Sequence, residues 1–245
     1  MTPMSPENNI IEIKELHKSY GARCVINNAS LCIEQGQALA VVGENGAGKT
    51  TLLEILMGLR HADSGQVSIL GQDALADNPK LREKIGFLSE TVPFFDYLTV
   101  RQFLAFHRCF YSHWNDATAS ALLDTLKLDP KLKIANLSRG QKLRLGIVAT
   151  LSHHPPLLIL DEVTAGMDPL VRHQIISLIK EECKQHHTTV VFATNLLYQL
   201  QSFATHIVYL RDGVLSRPEP LDPTIDDMEA FFVSKFSGEF ADNHG

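Results

Sequence analysis

The sequence predicts an α/β fold, a mainly parallel sheet covered by helices, on three observations. Short apolar stretches at residues 38–43, 157–161 and 188–194 alternate with longer helical patterns. The first of them runs directly into a glycine-rich turn and a helix from about Lys49. The composition, 44% hydrophobic and 20% charged over 245 residues, is that of an ordinary globular chain that can bury a core without disulfides or metals.

The elements follow in order. IIEIKEL (10–16) and ASLCIE (29–34) alternate apolar and polar residues with period two, so they read as half-buried strands that give the first third an antiparallel character. ALAVVG (38–43) has no polar face and reads as a central strand buried on both sides. Residues 94–128 carry two helical patterns, 100–111 and 116–128, with no strand between them, which predicts a helical insert of about residues 91–145. LLILD (157–161) after Pro155 and Pro156, an amphipathic helix at 170–184 and TTVVFAT (188–194) restore the strand and helix alternation. HIVYLRDGVL ends the pattern with an Asp-Gly pair that favours a tight hairpin turn. Residues 1–215 thus form one domain, and 216–245, rich in prolines and acids at SRPEPLDPTIDDMEA, form a short C-terminal tail read as an appendage.

Composition also excludes some functions. A net charge of −6 offers no basic field for phosphate backbones, so nucleic acid is not an expected partner. The four cysteines form no CxxC pair, which argues against a zinc site or a disulfide scaffold. MTPMSPENN lacks the basic start and apolar stretch of a signal peptide, and no apolar run reaches the roughly 18 residues of a membrane-spanning helix. The pairs His153-His154 and His186-His187 show no carboxylate or cysteine at ligand spacing and read as solvated loops.

GENGAGKTT (43–51) satisfies the G-x-x-x-x-G-K-[ST] spacing after a buried strand and before a helix, the place a P-loop must occupy. Gly43, Gly46 and Gly48 let the backbone wrap a phosphate chain, and Glu44, Asn45, Ala47 and Thr51 complete the loop. Lys49 is placed to bridge the β- and γ-phosphates of ATP, and Thr50 to hold Mg²⁺. The core is therefore expected to be of the P-loop NTPase (RecA-like) kind, with an antiparallel β subdomain and an inserted α-helical subdomain. LLILDE adds Asp161, which ends a buried strand where its carboxylate can meet the Mg²⁺ shell, and Glu162 as the candidate base for the attacking water. In LSRGQ (137–141), Ser138 and Gln141 form an S-x-x-Q capping box with Arg139 and Gly140 between them at the start of a helix.

With LSRGQ the chain resembles the ABC ATPase family, whose signature is most often LSGGQ, over about residues 10–215. The resemblance implies that Ser138, Arg139, Gly140 and Gln141 close over the ATP of an opposite subunit, so that two cassettes meet head to tail around two nucleotides. It makes Tyr20, in KSYGAR, an adenine platform, although a tyrosine there also fits as half-buried packing. It makes AGMD (165–168) a D-loop with Asp168 reaching across the dimer; Asp168 also fits as the cap of a helix begun by Pro169.

Two positions depart from the family pattern. Glu90 stands where a metal-sensing glutamine is usual, adding a carboxylate near Asp161 and Glu162. Asn195 stands where a switch histidine is usual; it can donate a hydrogen bond but cannot carry a proton or positive charge. Hydrolysis slower than in a histidine-bearing relative is the expectation. The resemblance implies an ATP-hydrolysing subunit at the cytoplasmic face of the inner membrane. It would pair with an identical or related cassette and with separately encoded permease subunits, in the style of ABC-2 exporters. A soluble assembly factor and a slow nucleotide-sensing subunit remain as alternatives. Phe94, Phe95, Tyr97 and Leu98 either receive a permease helix or form the insert's own core.

Overall fold

The computed structural model describes residues 8–89, 93–163, 167–194, 203–222, 224, 225, 227 and 231. Its elements run β1 (Asn9–Tyr20), β2 (Arg23–Glu34), β3 (Ala38–Val42), α1 (Lys49–Leu56), β4 (Ser64–Ile69), β5 (Gln72–Asp73), α2 (Pro79–Arg82) and β6 (Ile85–Ser89). They continue with α3 (Val100–Arg108), α4 (Asp116–Thr125), α5 (Arg139–Leu151), β7 (Leu157–Asp161), α6 (Pro169–His186), β8 (Thr189–Ala193), β9 (His206–Arg211), β10 (Val214–Leu215) and β11 (Glu219–Pro220).

The strands make two sheets: an antiparallel one in the order β2-β1-β4-β5, and a larger one in the order β10-β9-β3-β8-β7-β6, whose β9, β3, β8, β7 and β6 pair in parallel. The apolar strands split their side chains between two cores with period two. Leu39 and Val41 face a core with Ile11, Ile13, Leu16 and the α1 residues Leu52, Leu53, Ile55 and Leu56. Ala38, Ala40 and Val42 face the other, with Leu145, Ile147 and Val148 of α5 and Ile175 and Ile179 of α6. Helix α1 is thereby gripped between both sheets, and β3 delivers the turn that precedes it to the carboxyl edge of the parallel sheet.

Between β6 and β7 the described chain is helical, as the sequence predicts. Phe94 meets Phe103 edge to face at 5.0 Å and, with Leu98, packs on the core. Phe95 and Tyr97 are exposed and join Phe106 and Phe110 in an aromatic patch. The insert's own core therefore takes Phe94 and Leu98 and leaves Phe95 and Tyr97 at the surface. Among the described residues no helix is long and apolar enough to cross a membrane.

Two sequence readings need correction. The stretch after Leu215 does not leave the domain at once: Glu219 and Pro220 pair with Ile207 and His206 of β9, and Leu221 is buried. Prolines tolerate this because the strand lies on a sheet edge, where no ladder donor is needed. Nor is the His153-His154 pair a solvated loop, whereas His186 and His187, at the end of α6, are exposed as expected. His153 is 3% exposed and stacks on Tyr111 at 3.9 Å, while the next residue, His154, turns to the opposite side toward Glu182.

Candidate nucleotide-binding site

The turn between β3 and α1 is held open by its glycines at two points of close approach. A Cβ on Gly43 would lie 2.3 Å from the Leu210 carbonyl oxygen, and one on Gly48, at φ +109, would lie 2.5 Å from Val25 Cγ1. Lys49 folds back across the loop, where its Nζ donates to the carbonyls of Gly43 (2.9 Å) and Glu44 (3.1 Å) and lies 3.7 Å from Glu162 Oε1. An ammonium in the cup of the loop and the amino end of α1 behind it present positive potential to an anion. The cleft in front, about 330 Å³, is lined by Tyr20, Arg23, Val25, Asn45, Gly46, Gly48 to Thr51 and Glu162. That is within the usual range of about 300–1,000 Å³ for small-molecule sites.

Strand β7 brings the carboxylates to this cleft. Its register sets Asp161 level with Ser89 at the end of β6 and with Ala193 at the end of β8. Burial raises the Asp161 carboxyl above its ordinary pKa, and a hydrogen bond from Thr50 partly offsets this. Its buried Oδ1 has no hydrogen-bond partner. An orphaned carboxylate oxygen beside a hydroxyl suits a hard divalent cation such as Mg²⁺. Glu162 follows at φ +50, a left-handed conformation uncommon outside glycine, with its amide tied to the Ala193 carbonyl at 3.1 Å. The turn projects the carboxylate toward the cleft instead of continuing the strand.

The LSRGQ segment lies elsewhere. Ser138 Oγ accepts from the Gln141 amide at 3.2 Å, and Gln141 Oε1 accepts from the Ser138 amide at 2.9 Å, a reciprocal capping box at the start of α5. A Cβ on Gly140 would meet nothing within 4 Å, so its surface is open. Asp168 caps α6 through the Leu170 amide at 2.9 Å, ahead of Pro169. Ser138 to Gln141 and Asp168 line a common cleft of about 180 Å³ with Met167 and Val171. This cleft and the P-loop cleft have no lining residue in common.

Glu90 and Asn195 fall outside the described residues. Tyr20 is at the cleft rim, 43% exposed, with the Arg60 guanidinium 5.5 Å from its ring centroid. Sequence reasoning missed Arg23, whose Nη2 donates to the Gly46 carbonyl at 2.7 Å from directly across the hairpin. Treating 10–34 as one hairpin turning at Gly21 would have placed Arg23 opposite Tyr20.

The profile of the ABC transporter family matches residues 26–165, from the second strand of the hairpin through the P-loop and LSRGQ to just beyond Glu162. The chain belongs to the ABC transporter family. It is 30% identical over 217 residues to the bacitracin transport ATP-binding protein BcrA of Bacillus licheniformis, covering 88% of this chain and 71% of that protein. It is 32% identical over 212 residues to the Nod factor export ATP-binding protein I of Burkholderia orbicola, covering 83% and 68% respectively. Its fold superposes with a TM-score of 0.78 on the dimeric post-hydrolysis state of the ATP-binding cassette MJ0796 bound to ADP and Pi, at 26% identity, covering 86% of this chain and 99% of that one. The α/β core with its antiparallel sheet and helical insert is therefore that of an ABC cassette.

Proposed function

We propose that this ABC protein is the ATP-hydrolysing subunit of an exporter, closing head to tail with a second cassette around two ATP molecules and driving separately encoded membrane subunits. One observation carries the reading: the P-loop cleft and the LSRGQ cleft are separate surfaces of one chain. Each is half of a site that a second copy or a related chain completes. The dimeric form of the similar cassette and the transport and export functions named for the relatives support it.

In this mechanism Tyr20 stacks on adenine, and the amides from Gly43 to Gly48 cradle the phosphates. Lys49 exchanges its loop carbonyls for the β- and γ-phosphate oxygens, a stronger charge-assisted partner. Thr50 and Asp161 would hold Mg²⁺, with Glu90 as a further oxygen donor; bound there, the ion supplies charge neutralisation for the triphosphate. Glu162 orients the attacking water and draws on its proton, and its strained backbone fixes the carboxylate for that task. Ser138 Oγ and the Gly140 amide, at the amino end of α5, bind the γ-phosphate of the ATP held by the facing cassette, with Arg139 and Gln141 framing them. Asp168 reaches across the same interface. Asn195 offers the γ-phosphate an amide donor in place of a proton-carrying imidazole, which makes turnover slow.

Steady-state ATPase assays test this. Wild type hydrolyses ATP, Glu162→Gln loses at least about 100-fold, and Asn195→His speeds turnover. Turnover unchanged by Asn195→His, with Asn195→Ala also harmless, would remove that residue from catalysis. No hydrolysis by the wild type would replace the enzyme with a nucleotide-sensing subunit.

A further inference from the structure

Far from the nucleotide cleft, helix α6 carries Glu182 and His186 four residues apart, so both side chains lie on one helix face. Glu182 is unusual for a carboxylate on a surface helix: its side chain is only 8% exposed. The loop after α5 passes through His154 at φ +47, and its ring turns onto that face. His154 Nδ1 lies 3.0 Å from Glu182 Oε1 and 3.2 Å from Oε2, and its Nε2 lies 3.1 Å from Thr118 Oγ1 on α4. The ring of His186 sits against that of His154, centroids 4.0 Å apart and tilted by 32°. One nitrogen of each imidazole and one carboxylate oxygen all fall within 4.8 Å of one another.

A buried carboxylate is stable only when paired or coordinated. Among the described residues, the ion-pair partner of Glu182 is His154, which carries charge only when protonated. Around a tetrahedral ion with ligand bonds of about 2.0–2.1 Å, donor atoms lie roughly 3.3–3.5 Å apart. The spacing of His154 and Glu182 nearly meets this already, and His186, exposed at the helix end, needs only a side-chain adjustment. Donation from His154 Nε2–H to Thr118 Oγ1 would leave the Nδ1 lone pair facing Glu182, the outer hydrogen bond that ligating histidines usually make. Two imidazoles and one carboxylate are the donor set of zinc-class ions and a poor one for Mg²⁺ or Ca²⁺.

We propose that His154, Glu182 and His186 form a binding site for a divalent transition-metal ion, of which Zn²⁺ is the representative. The ion ties the carboxyl end of α6 to the loop after α5 and, through Thr118, to α4. The fourth position opens to solvent on the His186 side and takes a water. None of these residues lines the P-loop cleft, so the site stands whether or not the ATPase mechanism above is right.

The test uses the full chain, stripped with chelator and free of nucleotide, titrated with Zn²⁺ against a chromophoric competitor. The expected result is one Zn²⁺ per chain, a melting temperature raised by Zn²⁺, and Co²⁺ absorption bands of tetrahedral strength. His186→Ala, at an exposed residue that the fold does not need, lowers affinity at least about 10-fold and removes the thermal shift. His154→Ala and Glu182→Gln do the same, and Lys49→Ala binds Zn²⁺ as wild type does. A wild type that takes up no Zn²⁺, or a His186→Ala variant that binds it equally well, overturns the proposal and leaves a buried carboxylate paired with imidazoles.

Discussion

Gly48 shows how closely one residue can be tied to the site. Its φ of +109 and the 2.5 Å and 2.8 Å approaches of Val25 Cγ1 and O to a Cβ leave no room for a side chain. Gly48→Ala should destabilise the chain by on the order of 3 kcal/mol, read as a lower urea midpoint, and should weaken ATP binding. Two histidines, His153 buried and His107 half-buried, bear on acid stability in a different way. Burial holds His107 and His153 down to about 4, so in the folded chain they stay neutral through mildly acid pH. Unfolded, they take up protons from about pH 6.5 downward. The folded state therefore loses stability as pH falls from about 6.5 toward 4, by up to roughly 3 kcal/mol for each ring, and above that window they contribute no pH dependence. Urea midpoints measured across it should decline less steeply for His107→Phe and His153→Phe than for wild type.

At the scale of elements, two helix starts combine a structural role with a proposed functional one, and substitutions can separate them. Ser138→Ala removes the cap of α5 and should cost about 1 kcal/mol. Asp168→Asn keeps a capping oxygen for the Leu170 amide, so stability should hold while a cross-dimer role would show as reduced turnover. Unchanged turnover in Asp168→Asn would leave that residue a helix cap. The elements most legible in the sequence were those whose burial is two-sided, β3, β7 and β8, because no polar face interrupts them. Strands β1 and β2 run longer than the apolar alternation of 10–16 and 29–34 suggests, since register shifts beyond Ile13 break the period of two. Strand β4, in SGQVSI, has only two buried positions, and so little amphipathic signal that tertiary pairing with β1 decides it. The P-loop and LSRGQ were readable because their spacing carries the chemistry. Glu182 stands four residues before His186, a ligand spacing that the sequence reading of the histidine pairs overlooked, and the third member, His154, arrives through a loop whose path no local pattern specifies.

For the whole molecule, two surfaces are open to partners. The patch of Phe95, Tyr97, Phe106 and Phe110, each at least 45% exposed, is a cluster that a membrane subunit could cover. Phe95→Ser with Tyr97→Ser should leave ATPase activity of the isolated chain intact while abolishing recovery with a membrane fraction. In the proposed dimer the other surface would join the P-loop cleft of one copy to the LSRGQ cleft of the next. Light scattering of the Glu162→Gln variant, expected to hold ATP far longer than wild type, tests that interface directly. With ATP and Mg²⁺ the chain should shift from monomer to dimer mass, and adding Ser138→Arg should keep it a monomer while ATP binding persists. A Glu162→Gln chain that binds ATP yet stays monomeric, or a dimer indifferent to Ser138→Arg, would contradict the shared-site account.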